Sequence, residues 1–281
     1  MASPSHAYHG PGGEPRLRRS VAGFCDLLGF SQACTSDPTE SQHLLRRITD
    51  AIADSREFVR REFEHERRAE AIHWSLKFFS DNLVFAYPSD LDEESRAWAA
   101  WFVVRCVQRY QFRMALNGFF VRGALTEGLI CLTDEIVFGP ALVEAYRLES
   151  KTSIVPRVVI TELLYGLLRQ PSAGQARPSD AADLICRDID GWSFINYLDA
   201  AQVDGRIDWL LIEQHKSAVL SSLASTTRHD VLPKFGWSCR YHNVFCHWHT
   251  GDPGYSPRYR IDRTDEASTL HRMRDRPDGV A

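Results

Sequence analysis

The sequence predicts an α+β fold in which helices cover a sheet built from consecutive strands. Three observations support this prediction. Apolar strand-like runs and amphipathic stretches alternate in the order β-α-β-β-α-β through residue 150. The composition, 44% hydrophobic and 25% charged, is typical of a globular chain. The length of 281 residues suits one large domain or two small ones, since a domain averages roughly 150 residues.

The first three predicted elements are a strand, a helix and a tight hairpin. Residues 20–30 (SVAGFCDLLGF) form an apolar run suited to a strand buried on both faces. Residues 41–69 predict a long helix, because apolar positions recur at helical spacing opposite a face rich in Arg and Glu. Residues 71–79 and 83–87 predict two strands joined through Ser80-Asp81-Asn82, since Asp and Asn favour tight turns.

The next elements complete the repeating unit. Residues 91–116 predict a second long helix, which opens with acidic residues that suit a helix N-terminus. Residues 119–126 and 128–133 predict another pair of strands, and residues 139–150 a shorter helix with Pro140 in its first turn. This order is that of the split βαβ, ferredoxin-like arrangement, in which the first strand lies beside the hairpin.

Helices dominate the prediction for the C-terminal part. Two helices, residues 208–225 and 230–249, follow several short strands and one short helix. Residues 1–17 hold Pro and Gly and little to bury, which predicts a flexible leader, and residues 251–281 predict a loosely ordered tail. The main domain is therefore expected to span residues 18–250, with the last helices as its C-terminal extension.

Charge and hydropathy exclude several classes of protein. The 33 Lys and Arg against 37 Asp and Glu give a net charge of −4, which argues against a strongly basic nucleic-acid binder. A local patch at Arg16, Arg18 and Arg19 leaves that class as a weak alternative. The longest apolar run, residues 97–104, is far shorter than the ~20 residues that a membrane span needs. Seven irregularly spaced cysteines and a polar N-terminus predict reduced thiols and a cytoplasmic location.

Two carboxylates are candidates for chemistry. Asp26 stands inside the first apolar strand, where a carboxylate needs a compensating partner, and Asp81 stands in the hairpin turn. Each has a structural alternative, a cap or Arg partner for Asp26 and a simple turn role for Asp81. Together at one edge of the sheet they could hold magnesium or manganese, which prefer hard oxygen ligands. Lys77 in the adjoining strand is either a ligand contact or a side chain reaching solvent at the sheet edge.

Four stretches of sequence resemble the class III nucleotidyl cyclases. These are FCDLLGFS (residues 24–31), KFFSDN (77–82), Arg122-Gly123 and FGPALVEAYRL (138–148). The run FGPALVEAYRLES and the later DIDGWSFINYL (188–198) are most similar to the bacterial Pycsar pyrimidine cyclases. The resemblance covers roughly residues 18–250, and the order and spacing of the motifs make it more specific than any one of them.

The resemblance implies roles for individual residues. Asp26 and Asp81 match the two metal-binding aspartates, and the carbonyl of Leu27 is an additional expected ligand for two Mn²⁺ or Mg²⁺ ions. Arg147 matches the arginine that stabilises the transition state, and Lys77 matches a base-contacting lysine. A guanidinium suits the first role because it binds phosphate oxygens in a fork. A surface ion pair with a neighbouring glutamate is the structural alternative for Arg147.

The sequence also departs from the family pattern. Val143 stands where an asparagine is common in the nucleotide site, and Ile136 where a base-reading aspartate is usual. Both departures are compatible with a pyrimidine substrate. A phosphate-positioning lysine has no clear counterpart, and Arg122 or Lys151 is a candidate substitute.

By resemblance, the expected function is a homodimeric uridylate cyclase, with CTP as second choice of substrate. It makes the 3′,5′-cyclic nucleotide and pyrophosphate from the triphosphate, and a downstream effector in anti-phage defence reads the product. No nucleic acid or membrane partner is expected. A catalytically degenerate nucleotide sensor and a purine nucleotide cyclase remain alternatives. Cys239, His242 and Cys246 are spaced as possible zinc ligands, although interleaved aromatic residues favour a packed helix there.

Overall fold

The computed structural model describes residues 7–30, 37–62, 75–79, 82–90, 92–169, 184–226, 229–261 and 271–272; at 62, 75–79, 93–94 and 271–272 it describes the backbone alone. The helices are α1 (Pro38–Glu62), α2 (Glu93–Leu116), α3 (Pro140–Lys151), α4 (Glu162–Arg169), α5 (Trp209–Ser225) and α6 (Leu232–Trp248). The strands are β1 (Arg18–Leu27), β2 (Ser75–Phe79), β3 (Asn82–Pro88), β4 (Val121–Leu132), β5 (Val137–Phe138), β6 (Val158–Ile160), β7 (Ile185–Arg187), β8 (Ser193–Ile195), β9 (Gln202–Val203), β10 (Arg206–Ile207) and β11 (His271–Arg272).

The sheet confirms the predicted ferredoxin-like arrangement. Its first four strands lie in the order β4-β1-β3-β2, and each neighbouring pair is antiparallel. Beyond β4 the sheet continues through β6, β8, β7 and β11, with β6 parallel to β4. The fold is therefore α+β with a mixed sheet, and β1 lies between β3 and β4 near its middle.

The side chains of β1 alternate between two apolar layers. Val21, Cys25 and Leu27 belong to the larger core, which also contains residues of α1 and α2. Ala22 and Phe24 face the opposite way, where the ring of Phe24 meets that of Tyr146 on α3 edge to face at 5.3 Å. Because strand side chains alternate, Asp26 belongs to the α3 side of the sheet and Leu27 to the α1–α2 side.

Strand β4 differs from the prediction of two separate strands. It runs unbroken for 12 residues, although Gly128 interrupts the apolar pattern. A Cβ atom at Gly128 would lie 3.3 Å from the Cβ of Ala141 on α3. The glycine therefore lets the helix approach the strand closely and does not end the strand.

The predicted strand over residues 20–30 is shorter at its C-terminal end, since β1 stops at Leu27. Gly29 follows with a φ of 82°, a left-handed conformation that turns the chain away from the sheet. Two residues outside the main run of helices and strands are also buried. Tyr8 is fully buried, and its hydroxyl is hydrogen-bonded to that of Ser20 at 2.9 Å; Ile261 is buried as well. Among the described residues, no helix is long and apolar enough to cross a membrane.

Candidate functional site

Asp26 lies at the second-last position of β1, between two neighbouring strands. Its backbone partners are Asn82, the first residue of β3, and Arg122 on β4. Asp26 thus stands at the end of the sheet where β2 and β3 meet, because Phe79 and Asn82 are also register partners. The strand order that the sequence predicted places this carboxylate at the sheet end where β2 stops at Phe79 and β3 begins at Asn82.

Asp81 and Lys77 are the two predicted site residues from this part of the sequence. Asp81 lies outside the described residues, between the end of β2 and the start of β3. Lys77 is in β2 opposite Val84 of β3, and only its backbone is described. The role of each therefore stays a prediction.

The carboxylate of Asp26 is bound by the guanidinium of Arg122. The Nε of Arg122 donates to Oδ2 of Asp26 at 2.7 Å, and one terminal nitrogen lies 2.6 Å from the same oxygen. That nitrogen is also 2.9 Å from Oε1 of Glu149 on α3. The side chains of Asp26 and Glu149 are only 13% and 4% exposed. Two shielded carboxylates thus contact one guanidinium.

The buried residues of α3 show which face of the helix packs against the sheet. Ala141, Ala145 and Glu149 form its buried face at intervals of four residues, whereas Val143 and Arg147 lie on its exposed face. Glu149 consequently points to Arg122, and Arg147 points away from the sheet. Sequence reasoning missed Glu149, although its spacing from the two alanines marked an acid on an apolar helix face.

Arg147 makes no ion pair with the part of the chain that the structure describes. The two glutamates that were its possible partners are engaged elsewhere: Glu149 contacts Arg122, and Glu144 accepts a 2.7 Å hydrogen bond from the hydroxyl of Thr126. The structural alternative for Arg147, a surface ion pair on its own helix, is therefore not what holds this side chain.

The N-terminus of α3 is held in a conformation that only glycine adopts readily. Gly139 precedes the helix with a φ of 144°, and Pro140 occupies the first turn, as the sequence predicted. A Cβ atom at Gly139 would lie 2.5 Å from the carbonyl oxygen of Leu129. This close approach fixes the helix against β4, and with it the positions of Glu149 and Arg147.

The donor chemistry at the end of β1 suits a hard divalent cation. The Asp26 carboxylate and the Leu27 carbonyl are oxygen donors, and the Glu149 carboxylate contacts the same guanidinium as Asp26. Within the described ranges, no three His, Cys, Asp or Glu side chains are placed to hold a metal. A metal site here therefore requires a further carboxylate, and Asp81 is the one that the sequence offers.

The possible zinc ligands on α6 do not form a site. His242 is fully buried, and its Nε2 lies 2.8 Å from the carbonyl oxygen of Tyr259 while its Nδ1 lies 3.0 Å from Nδ1 of His215. Both ring nitrogens are thus used in hydrogen bonds. Cys239 and Cys246 are buried in the packed helix, which agrees with the interpretation that the sequence favoured.

Comparison with known proteins gives no family assignment. No family model matches the chain, and no curated protein matches it. Among solved structures, it is similar to a class III adenylyl cyclase-like ATP-binding protein from Pseudomonas aeruginosa, with 14% identity and a TM-score of 0.40 over 54% of this chain. The chain spans only 35% of that protein's length.

Two further structures show similarity at the same level. The catalytic core of a rhodopsin-guanylyl cyclase with converted specificity, in complex with ATPαS, has 14% identity and a TM-score of 0.43, over 64% of this chain and 96% of the other. A bacterial light-regulated adenylyl cyclase has 14% identity and a TM-score of 0.38, over 66% and 53%. Likeness at this level assigns neither a reaction nor a substrate.

Proposed function

We propose that the protein is a nucleotidyl cyclase that converts a pyrimidine ribonucleoside triphosphate, UTP ahead of CTP, to its 3′,5′-cyclic nucleotide and pyrophosphate. The carrying observation is the position of Asp26, a shielded carboxylate at the end of the central strand, opposite the first residue of β3. Its carboxylate and the neighbouring Leu27 carbonyl offer oxygen donors to a cation that binds a polyphosphate. The proposed setting is cytoplasmic anti-phage signalling, in which an effector reads the cyclic product.

In this proposal Asp26, Asp81 and the carbonyl of Leu27 hold two divalent ions, Mn²⁺ or Mg²⁺. When bound, such ions lower the pKa of the ribose 3′-hydroxyl and neutralise the charge of the triphosphate. Arg122 has a positioning role, because its hydrogen bonds to Asp26 fix one carboxylate oxygen and its contact with Glu149 ties that carboxylate to α3. The nucleotide contact that the sequence gives as one option for Arg122 stays a prediction.

Arg147 is proposed to stabilise the transition state in the site of a second subunit. Arg147 lies on the exposed face of α3, opposite the face that carries Glu149, so it points away from Asp26 of its own chain. This placement supports a role in the site of another subunit. Exposed apolar side chains surround that face and support a homodimer: Phe138 is 61% exposed and Tyr146 53%. Exposed apolar groups of this size often mark protein interfaces.

Recognition of the base is proposed to involve Lys77 and Val143, with Ile136 in place of an acidic base-reading residue. Ile136 in the β4–β5 connection and Val143 on α3 are both exposed, and Val143 lies one helical turn before Arg147. An apolar pair offers no carboxylate to the amino group of a purine. The choice of UTP rests on the resemblance to pyrimidine cyclases.

The test is identification of the product by mass spectrometry after incubation with each of the four ribonucleoside triphosphates and manganese. We expect 3′,5′-cyclic UMP as the main product and a loss of at least a hundredfold in Asp26→Asn. Asp50→Asn on the exposed face of α1 is the matched control and keeps full activity. A strong preference for ATP or GTP overturns the pyrimidine assignment.

A nucleotide sensor without catalysis is the second candidate. The observation in its favour is that Arg122 already neutralises Asp26, so the cluster is stable without a metal. This candidate predicts metal-independent binding of UTP with no release of pyrophosphate from any nucleotide. Pyrophosphate release that depends on manganese and on Asp26 excludes it.

A further inference from the structure

A cavity of about 770 Å³ lies behind the end of β1. The turn at residues 27–30 forms one wall, α1 and the α2–β4 connection form the second, and α5 forms the third. A volume of this size is within the range of roughly 300–1,000 Å³ that small-molecule sites occupy. The cavity is therefore large enough for a ligand of nucleotide size.

The cavity is distinct from the candidate active site. Leu27 lines it and packs into the α1–α2 core, whereas Asp26 projects to the α3 side of the sheet. Neither Arg122 nor Glu149 lines the cavity. The two sites share only the backbone that follows Asp26.

The charged group on the cavity wall is positive. Among the described residues that line it, Arg47 on α1 is the only charged one, and none of them is Asp or Glu. The guanidinium carbon of Arg47 lies 5.3 Å from the ring centroid of Phe119, and no carboxylate in the described ranges pairs with it. Its donors are therefore available to an anion at the wall of the cavity.

Hydroxyl groups cover the α5 wall. Ser217, Ser221, Ser222 and Ser225 follow at helical spacing on the side that faces the cavity. Ser217 and Ser225 donate to carbonyl oxygens of their own helix, at 3.0 and 3.2 Å, and keep lone pairs for a donor. The side chains of Ser217, Ser221 and Ser225 are exposed, so this wall is open to solvent and offers hydroxyl groups to a polar occupant.

The other two walls carry aromatic and apolar side chains. Leu28 and Phe30 lie in the first wall and Phe119 lies in the second, beside Arg47, and all three are partly exposed. Aromatic faces of this kind stack on heterocyclic bases, with roughly 1–3 kcal/mol per base. The cavity thus combines a surface for a ring, hydroxyl groups for a sugar and one cation for a phosphate.

We propose that this cavity binds a nucleoside that carries a single phosphate group. A single guanidinium matches one phosphate, whereas the charge of a triphosphate would exceed what the wall neutralises. The hydroxyl row faces the ribose and the phosphate oxygens, and Phe119 faces the base. This site is separate from catalysis and does not depend on the proposed cyclase activity.

The test is isothermal titration calorimetry with UMP in the presence of EDTA, which removes metal-dependent binding at the candidate active site. We expect Arg47→Ala to weaken UMP binding at least tenfold, since a charge-assisted hydrogen bond contributes about 1.5–3 kcal/mol. Arg46→Ala is the matched control, because Arg46 is exposed on the same helix and does not line the cavity. Ser221→Trp fills the cavity from exposed α5 and is expected to abolish binding.

Titrations with uridine and with inorganic phosphate test recognition of the nucleoside and of the phosphate separately. Both are expected to bind at least tenfold more weakly than UMP. Phosphate that binds as tightly as UMP overturns the nucleoside assignment. Absence of UMP binding at millimolar concentration, or unchanged affinity in Arg47→Ala or Ser221→Trp with an unchanged melting temperature, overturns the site itself.

Discussion

Arg122 and Asp26 are register partners in neighbouring strands, and their side chains also form an ion pair. Their residues lie opposite each other in the β1–β4 ladder, and the Nε of Arg122 donates to Oδ2 of Asp26 at 2.7 Å. Through the same guanidinium, Glu149 connects α3 to this ladder. One cation therefore ties together two strands and a helix at the candidate active site.

Replacement of Arg122 by Met is expected to destabilise the fold strongly. It leaves the shielded carboxylates of Asp26 and Glu149 without their shared cation, and loss of one partner in a buried ion pair costs about 3–5 kcal/mol. Urea denaturation measures the change in the free energy of unfolding. Arg147→Met, on the exposed face of α3, is expected to change it by less than about 0.5 kcal/mol. Equal losses in both variants would contradict the role of Arg122.

Complementation tests whether Arg147 acts across a dimer. Arg147→Ala and Asp26→Ala homodimers are each expected to be nearly inactive, and a mixture of the two proteins is expected to recover activity. After random exchange about half the dimers are mixed, each with one intact site, so recovery approaches about a quarter of the wild-type rate. No recovery, with subunit exchange shown by native mass spectrometry, would place Arg147 in its own chain's site or outside catalysis.

The buried histidine pair is expected to make stability depend on pH. His242 Nε2 donates to the carbonyl of Tyr259 at 2.8 Å, so its Nδ1 accepts from Nδ1 of His215 at 3.0 Å. His215 Nε2 then accepts from the hydroxyl of Tyr197 at 3.0 Å. Each ring is neutral in this chain of bonds. The sulfur of Cys246 is 3.6 Å from His242 Nε2, and the positive charge of Lys216 also acts on that ring.

Burial lowers the pKa of His242 to about 4 and that of His215 well below its usual value. The unfolded chain therefore binds more protons than the folded one as the pH falls below about 6.5, and stability decreases in that direction. Each histidine contributes a slope of up to about 1.4 kcal/mol per pH unit. Urea denaturation of the protein at pH 7 and pH 5 measures it. Equal stability at both values would contradict the neutral pair.

Alanine at two glycines is expected to have opposite effects. Gly139→Ala places a Cβ atom 2.5 Å from the carbonyl oxygen of Leu129 at a φ of 144°, so the start of α3 has to move. Backbone strain of this kind costs about 1–3 kcal/mol, and the melting temperature falls. Gly236→Ala in α6 meets nothing within 4 Å and is expected to stabilise by about 0.5–1 kcal/mol. A lower melting temperature in Gly236→Ala would contradict this account.

The order of the elements was predictable because each has a local signal. The Pro140 that opens α3 and the Asp208 that caps α5 mark boundaries where the structure has them, whereas the apolar run predicted through Phe30 ends as a strand at Leu27. The sheet order followed from the β-α-β-β-α-β pattern and is confirmed by the register of β1 with β3 and β4. Gly128 misled the prediction, because close packing on Ala141 is not visible in a local pattern.

The candidate site was predictable only in part. The polar position of Asp26 in an apolar strand marked it as a site that needs a partner, but a partner almost a hundred residues away in the sequence has no local signature. Arg122 and Glu149 therefore emerge only when β4 and α3 pack against β1. The cavity at Arg47 is likewise formed by segments far apart in the chain, so the serines of α5 gave no sign of it in the sequence.

The buried cysteines give this protein an internal chemical reporter of unfolding. The thiols of Cys25, Cys106, Cys131, Cys186, Cys239 and Cys246 are all buried. Burial raises the pKa of the Cys25 thiol and raises that of Cys246 to about 12, which keeps both in the unreactive thiol form. A maleimide consequently alkylates these six cysteines only when the core around them opens. The alkylation rate at each cysteine therefore measures how often that part of the sheet or of α6 opens.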